Sequence, residues 1–181
     1  MIPRHPAQTR KERFLMKPKI LICLTVTSVL LSIWSWPLHV LVLRNTRGGH
    51  LVFGRVVSPG DVFTLSYTHS VELKPVWDYY IIGEQYEIIQ NRTIFPDSDF
   101  GLPSRAVGHE TYSVLPDGNG CISGMRRLIP SLLLRVERDY NNTFTFNETL
   151  TLNLSKNPGD CVIDMHISEI NVFQYILGAS R

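Results

Sequence analysis

Cysteine is scarce in this sequence, with 3 residues in 181, and the usual signatures of metal and serine catalysis are missing. There is no C-x-x-C pair and no His pair at i and i+4, the spacings typical of zinc sites. The nucleophile elbow G-x-S-x-G is also absent, because GCISG at 120–124 places its Ser one position too late. We therefore predict that the chain is not an enzyme and that it carries no cofactor and no metal.

Positive charge is lacking beyond the N-terminus. The first 19 residues hold six Lys/Arg and one acidic residue, out of chain totals of 18 and 16. The remaining 12 basic and 15 acidic residues give 20–181 a net charge of −3. Because this part has no basic excess to set against phosphates, we predict that it does not bind nucleic acid.

Charged residues are absent from 20–43, apart from the titratable His39. A helix of this length rises about 36 Å, which is enough to cross a hydrocarbon core of about 30 Å. We therefore predict one N-terminal transmembrane helix that serves as an uncleaved signal anchor. A cleaved signal peptide is one alternative, and a shorter helix that ends near Trp36, before Pro37, is the other.

The excess of Lys and Arg before the apolar run predicts the orientation of the chain. On this reading 1–19 is a basic cytoplasmic tail and 20–43 is the transmembrane anchor. An extracytoplasmic domain follows at 44–167, and a C-terminal tail at 168–181 is either a last strand or a short helix. We expect a single-pass protein of the cell membrane with its C-terminal domain outside the cytoplasm.

Turn sequences recur at short intervals between residues 50 and 167, among them SPGD at 58–61, LPDGNG at 115–120 and NPGD at 157–160. The runs between them, such as VFTLSYTHSV, are rich in Val, Ile, Thr, Tyr and Phe, and no long helical period appears. This spacing predicts an all-β fold, an antiparallel β-sandwich or barrel-like domain, after the N-terminal helix.

Two of the cysteines are candidates for a disulfide. Cys121 and Cys161 lie in the part that is predicted to face outward, where a disulfide can form. Each follows a turn that contains Gly, DGNG before Cys121 and NPGD before Cys161. The alternative is that they are two separate small apolar residues.

The segment YTHSVELKPVWDYYIIG brings a His and a Ser close to two carboxylates, at His69, Ser70, Glu72 and Asp78. In a strand that runs from Val62 to Glu72, alternation places His69 on an apolar face and Ser70 and Glu72 on a polar face. Side chains on opposite faces do not form a Ser–His pair. We therefore treat all four residues as candidate ligand-binding residues and none as catalytic.

The turn LKP precedes a second predicted strand, VWDYYII. Alternation places Trp77 and Tyr79 on one face and Asp78 and Tyr80 on the other. If Trp77 points inward, Asp78 points to solvent, where an ion pair contributes little to stability.

Three interpretations of His69 remain open. In the first it is a core residue hydrogen-bonded to a backbone carbonyl or a Tyr hydroxyl, because an unpaired buried ring costs about 1–3 kcal/mol. In the second it lies in a ligand-binding or proton-responsive pocket with Glu72, Asp78 or His109. In the third it binds a metal.

The strand-turn-strand segment SPGDVFTLSYTHSVELKPVWDYYII, at 58–82, carries a family resemblance. The chain is similar to the prokaryotic family of domains of unknown function numbered 1850, and FGLP, PDGNG, LLLRV and NPGDCVIDMHI continue the likeness in order. The sequence departs from the family at Asp99, where a Gly is usual, and at Asp78, where a Glu is commoner. Members often accompany the TAXI class of TRAP transporters, which take up small solutes with an extracytoplasmic binding protein.

The resemblance implies a role beside a transporter. We expect a non-enzymatic accessory to a TRAP-type solute transporter that contacts the membrane subunit or its binding protein. The alternative is a small-ligand or metal-binding module that uses His69, Glu72 and Asp78.

Overall fold

A computed structural model describes residues 18–96 and 106–178 of the chain. Two compact units are present, one ending at Trp36 and one beginning at Pro37. The basic tail lies outside the described residues except for its last two, and so does Asp99. The elements are α1 Pro18–Trp34, β1 Pro37–Asn45, β2 Leu51–Val56, β3 Val62–Thr68, β4 Pro75–Ile82, β5 Ile88–Pro96, β6 Thr111–Val114, β7 Asn119–Ile129, β8 Leu132–Val136, a 3-10 helix Arg138–Tyr140, β9 Thr143–Phe146, β10 Leu150–Asn153, β11 Cys161–Asn171 and α2 Val172–Gly178.

Helix α1 begins at Pro18. Proline is favoured at the first position of a helix, because the backbone N–H that it lacks would have no partner within the helix there. Its side chains from Lys19 to Trp34 are exposed, and its apolar residues lie on all sides. The backbone N–H of Ser35 donates to the carbonyl of Leu31 at 3.1 Å in the last turn. Among the described residues, no helix has the length and the apolar character that crossing a membrane requires.

The predicted transmembrane helix at 20–43 is wrong, because the second part of this apolar run is a strand. Pro37 has no N–H and disfavours helical backbone in the residue before it, so the helix ends at Trp34 and β1 begins. The four residues from Val40 to Leu43 are all buried. A short apolar run of this kind does not distinguish a strand covered on both faces from a helix. The β-domain therefore begins at Pro37 rather than at residue 44.

The strands form two antiparallel sheets, which confirms the predicted all-β class in its sandwich-like form. The small sheet has the order β2-β1-β11-β8, and the large sheet has the order β10-β9-β3-β4-β5-β7-β6. In the small sheet, Leu41 pairs with Ile167 on one side and with Arg55 on the other.

One hydrophobic core joins the inner faces of both sheets. Leu41 and Ile163 contribute from the small sheet, and Phe63, Tyr80 and Phe144 contribute from the large sheet. The rings of Phe63 and Tyr80 are stacked, with their centroids 4.7 Å apart. A smaller cluster on the large sheet consists of Val76, Phe95, Ile122 and Met125.

The predicted disulfide does not form. Cys121 lies on β7 of the large sheet and Cys161 on β11 of the small sheet, and both are buried free cysteines. Facing sheets pack about 10 Å apart, whereas a disulfide needs Cα atoms within about 7 Å. The interpretation as two separate small apolar residues is the one that agrees with the structure.

The C-terminal tail contains both of the predicted alternatives. Strand β11 continues to Asn171, and α2 follows directly. The N–H of Gln174 donates to Asn171 Oδ1 at 2.8 Å, and the N–H of Asn171 donates to Gln174 Oε1 at 3.0 Å. This reciprocal pair caps the first turn of α2.

Candidate functional site

His69 lies at the start of the loop between β3 and β4, because β3 ends at Thr68 and not at Glu72 as predicted. Its backbone N–H donates to the carbonyl of Lys74 at 2.8 Å, and its carbonyl accepts from the N–H of Leu73 at 2.9 Å. Its ring atom Nδ1 accepts from the N–H of Glu72 at 3.3 Å. The imidazole thus satisfies a backbone donor and closes the loop.

We expect His69→Ala to lower the free energy of unfolding by about 1 kcal/mol, because the N–H of Glu72 loses its acceptor. Urea denaturation of the two proteins measures this difference. Ser70→Ala is the matched control, because Ser70 is exposed in the same loop and should leave the unfolding curve unchanged. Equal stability of His69→Ala and the parent chain would remove the structural role of the ring.

Asp78 lies on the inner face of the large sheet. The sequence-based alternative, with Trp77 pointing inward and Asp78 pointing to solvent, is therefore wrong. Val76, Tyr80 and Ile82 are buried, so the even-numbered side chains of β4 face the core and Asp78 is half-buried among them. Trp77, on the opposite face, is only partly covered.

The four candidate residues do not form one cluster. Asp78 pairs with Leu65, and the last pair of this ladder, next to the loop, is Thr68 with Pro75. The two pairs are three residues apart along the strands, so Asp78 lies about 10 Å from the loop. In the loop, the hydrogen bond from the Glu72 N–H to His69 Nδ1 joins these two residues, while Ser70 is exposed. Within 18–96 and 106–178, no three His, Cys, Asp or Glu side chains converge as a metal site would require.

A β-bulge at Asn91 supplies the partners of Asp78. Tyr79 pairs with Arg92 and Tyr80 pairs with Gln90, so Asn91 is the extra residue of β5. In a regular strand, residues 90 and 93 would point to opposite faces, and the bulge brings them to the same face. Two hydrogen bonds converge on Asp78 Oδ1 as a result, one from Thr93 Oγ1 at 2.7 Å and one from Gln90 Nε2 at 3.1 Å.

A cleft of about 260 Å³ opens beside Asp78, between the large sheet and β8 of the small sheet. Its lining residues are Leu65, Tyr67, Asp78, Tyr80, Leu132, Leu134, Arg135 and Asn142. Within the described part of the chain, Asp78 Oδ2 and the hydroxyls of Tyr67 and Tyr80 form no hydrogen bond with the protein. None of these three atoms is sealed from solvent. The cleft is therefore lined by leucine side chains and by three residues that each carry an unpartnered polar atom.

The three polar side chains share one electrostatic environment. Burial raises the pKa of Asp78, and the hydrogen bonds from Thr93 and Gln90, together with the positive charge of Arg127, oppose that rise. Burial and the negative charge of Asp78 raise the pKa of Tyr67 to about 12. Burial, Asp78 and Tyr67 also raise the pKa of Tyr80. Both tyrosines therefore keep their hydroxyl protons at neutral pH.

Residues 63–152 match the family model described as "Domain of unknown function (DUF1850)". This range begins in β3 and ends in β10, so it includes every residue that lines the cleft. The domain belongs to the DUF1850 family. No curated protein and no solved structure matches the chain.

Sequence reasoning identified Asp78 of this DUF1850 domain but missed the other cleft residues. Alternation assigns Tyr80 to a face only as a strand residue, and nothing in the sequence singles out Tyr67. Their positions opposite β8 depend on how the two sheets pack. Gln90 and Thr93 reach Asp78 only because of the bulge, and the sequence has no Gly at Asn91 to indicate one.

Proposed function

We propose that this domain is a non-enzymatic module that binds a small polar molecule in the cleft beside Asp78. The observation that carries the proposal is the set of three unpartnered polar atoms, Asp78 Oδ2 and the hydroxyls of Tyr67 and Tyr80. Water can reach these atoms in the free protein, so a ligand that bonds them replaces hydrogen bonds to water with hydrogen bonds of its own, each contributing about 0.5–1.5 kcal/mol. Binding sites typically combine apolar walls with a few polar groups, as this cleft does.

The lining residues favour binding over catalysis. They include no Ser, Cys, Thr, Lys or His, and the raised pKa values of Tyr67 and Tyr80 keep both hydroxyls protonated, so Asp78 is the one group in the lining that could act as a base or nucleophile. Of the four candidate ligand-binding residues from the sequence, the proposed site keeps Asp78, and Tyr67 and Tyr80 take the place of His69, Ser70 and Glu72.

Binding is expected to raise the melting temperature of the full-length protein, because a ligand that prefers the folded state stabilises it. The measurement is a thermal-shift screen with a panel of small cationic, neutral and anionic metabolites. Leu134→Trp fills the cleft and should abolish the shift. Leu133→Trp is the matched control, since Leu133 is exposed on the same strand and does not line the cleft. The proposal fails if no compound gives a shift, or if Leu134→Trp responds like the control.

A second proposal concerns the partner. We propose that the domain lies outside the cytoplasm and serves a TRAP-type solute transporter as an accessory that contacts the membrane subunit or its binding protein. Membership of the DUF1850 family supports this role, because members of the family often accompany TRAP transporters of the TAXI class. The exposed apolar surface of α1 also favours it, because a helix that is apolar on all sides is usually found in apolar surroundings.

Cross-linking of the full-length protein in its native membrane, followed by affinity capture and mass spectrometry, tests the second proposal. Recovery of a transporter membrane subunit or its binding protein is the expected result. The control is the same capture without cross-linker. Cross-linked material that contains neither protein would refute the accessory role and leave the ligand-binding proposal standing.

A further inference from the structure

The unpartnered atoms of the cleft can all act as hydrogen-bond acceptors, and as a set they suit an ammonium group. An ammonium group has three N–H donors and no acceptor, while a carboxylate oxygen and two hydroxyl oxygens provide three acceptors. We infer that the cleft binds the ammonium group of a small primary amine, held by Asp78 Oδ2 and by the hydroxyl oxygens of Tyr67 and Tyr80. This inference rests on the proposed function, because it requires that the cleft binds a small molecule.

The charge of the cleft favours a cation. Asp78 is the one carboxylate among the lining residues, and a half-buried carboxylate without a counter-ion is costly. Arg135 also lines the cleft, but its guanidinium is mostly exposed and its Nε lies 2.6 Å from Glu137 Oε1. An ammonium ligand would supply the positive charge that this side chain does not.

Arg127 is the other cation whose charge reaches Asp78. Its Nε donates to Glu110 Oε1 at 2.9 Å and its Nη2 donates to Glu110 Oε2 at 3.0 Å. Because this pair is bidentate, the guanidinium is already neutralised by another carboxylate. Asp78 is therefore left with two neutral donors on Oδ1 and with none on Oδ2.

The walls and volume of the cleft limit the rest of the ligand. The apolar walls of the cleft are more favourable for a hydrocarbon chain than for a hydrated metal ion; they are formed by Leu65, Leu132 and Leu134. Calcium also requires about six to eight oxygen ligands, usually with several carboxylates, and the cleft has one. A volume of about 260 Å³ corresponds to about nine waters at roughly 30 Å³ each. A primary amine with a short aliphatic chain has the matching size and polarity.

The test is an NMR titration of the full-length protein with three probes of one shape: n-butylammonium, 1-butanol and butyrate. We expect n-butylammonium to shift resonances of the cleft and to bind about tenfold or more tightly than the other two. Asp78→Asn should weaken its binding about tenfold or more, because it removes the charge while its amide oxygen still accepts from Thr93 and Gln90. Tyr67→Phe and Tyr80→Phe should each weaken binding by a smaller factor.

Glu84→Gln is the control, because it removes an exposed carboxylate from the loop between β4 and β5 and should leave binding unchanged. A cooperative unfolding transition in each variant shows that loss of binding is not loss of the fold. Equal binding of the three probes, preference for butyrate, or unchanged binding in Asp78→Asn would overturn the amine inference. Binding of none of the three would overturn it as well, and the Leu134→Trp comparison on the wider panel would then decide the proposed function separately.

Discussion

A chain that begins at Pro37 is expected to fold, whereas a chain that begins at Arg44 is expected to remain unfolded. The longer chain contains the complete β-unit. The shorter one lacks most of β1, the strand that pairs with both β2 and β11. Leu41 and Leu43 have no exposed surface, and truncating such a leucine to Ala alone costs about 2–5 kcal/mol. Their loss, together with two ladders of hydrogen bonds, exceeds a typical total stability of about 5–15 kcal/mol.

Circular dichroism and urea denaturation of the two chains measure the difference directly. The chain that begins at Pro37 should unfold in one cooperative transition, and the chain that begins at Arg44 should show none. The full-length protein is the reference for both. A cooperative transition in the shorter chain would mean that 37–43 is not an integral strand, and it would restore the boundary that the sequence predicted.

Replacing Asp78 with Asn is expected to raise the free energy of unfolding at neutral pH by about 1–3 kcal/mol. Burial raises the pKa of Asp78 in the folded protein above its value in the unfolded chain. The ionised carboxylate therefore destabilises the fold increasingly as the pH rises above the unfolded pKa, and the full effect is present above the folded pKa. The Asn side chain carries no charge at any pH and still accepts hydrogen bonds from Thr93 and Gln90.

The sign of this effect gives it a pH dependence. The gain should be complete above the folded pKa of Asp78 and should disappear as the pH falls below the unfolded pKa of about 3.9, because the carboxyl is then protonated in both states. Thermal denaturation of Asp78→Asn and the parent chain between pH 3.5 and 8 measures the difference, with Glu84→Gln as the exposed control. A gain that stays constant with pH would show that the charge of Asp78 is not its source.

Composition and turn spacing predicted the β-domain well, because short apolar runs between Gly- and Pro-containing turns have few other solutions. The same local information failed at 37–43, where the sequence offered an unbroken apolar run that continued from a helix. The core covers Leu41 and Leu43 on one face of β1, and α2 lies against the other face, which carries Val40 and Val42; these contacts are distant in sequence. Pro37 was the local signal that marked the boundary.

The candidate site was predicted less completely. Alternation assigned the side chains of β4 to two faces but left open which face is buried, and the structure directs Asp78 inward. His69 lies in a loop because β3 ends at Thr68, the residue before it, and alternation does not apply beyond the end of a strand. The partners of Asp78 depend on the bulge at Asn91, and the cleft depends on the packing of β8 against the large sheet. Neither is a property of a short stretch of sequence.

The order of strands in the small sheet sets the order in which a newly made chain can be completed. Strand β1 is made early, but Leu41 pairs with Ile167, so the backbone groups along one edge of β1 stay unpaired until β11 has been synthesised. Strand β8 joins the small sheet through β11 alone. Pairings this distant in sequence form slowly, because the intervening chain must be closed into a loop first. The wall of the cleft that carries Leu132 and Leu134 is therefore among the last parts of the molecule to assemble, and an incomplete chain has no means of holding a ligand there.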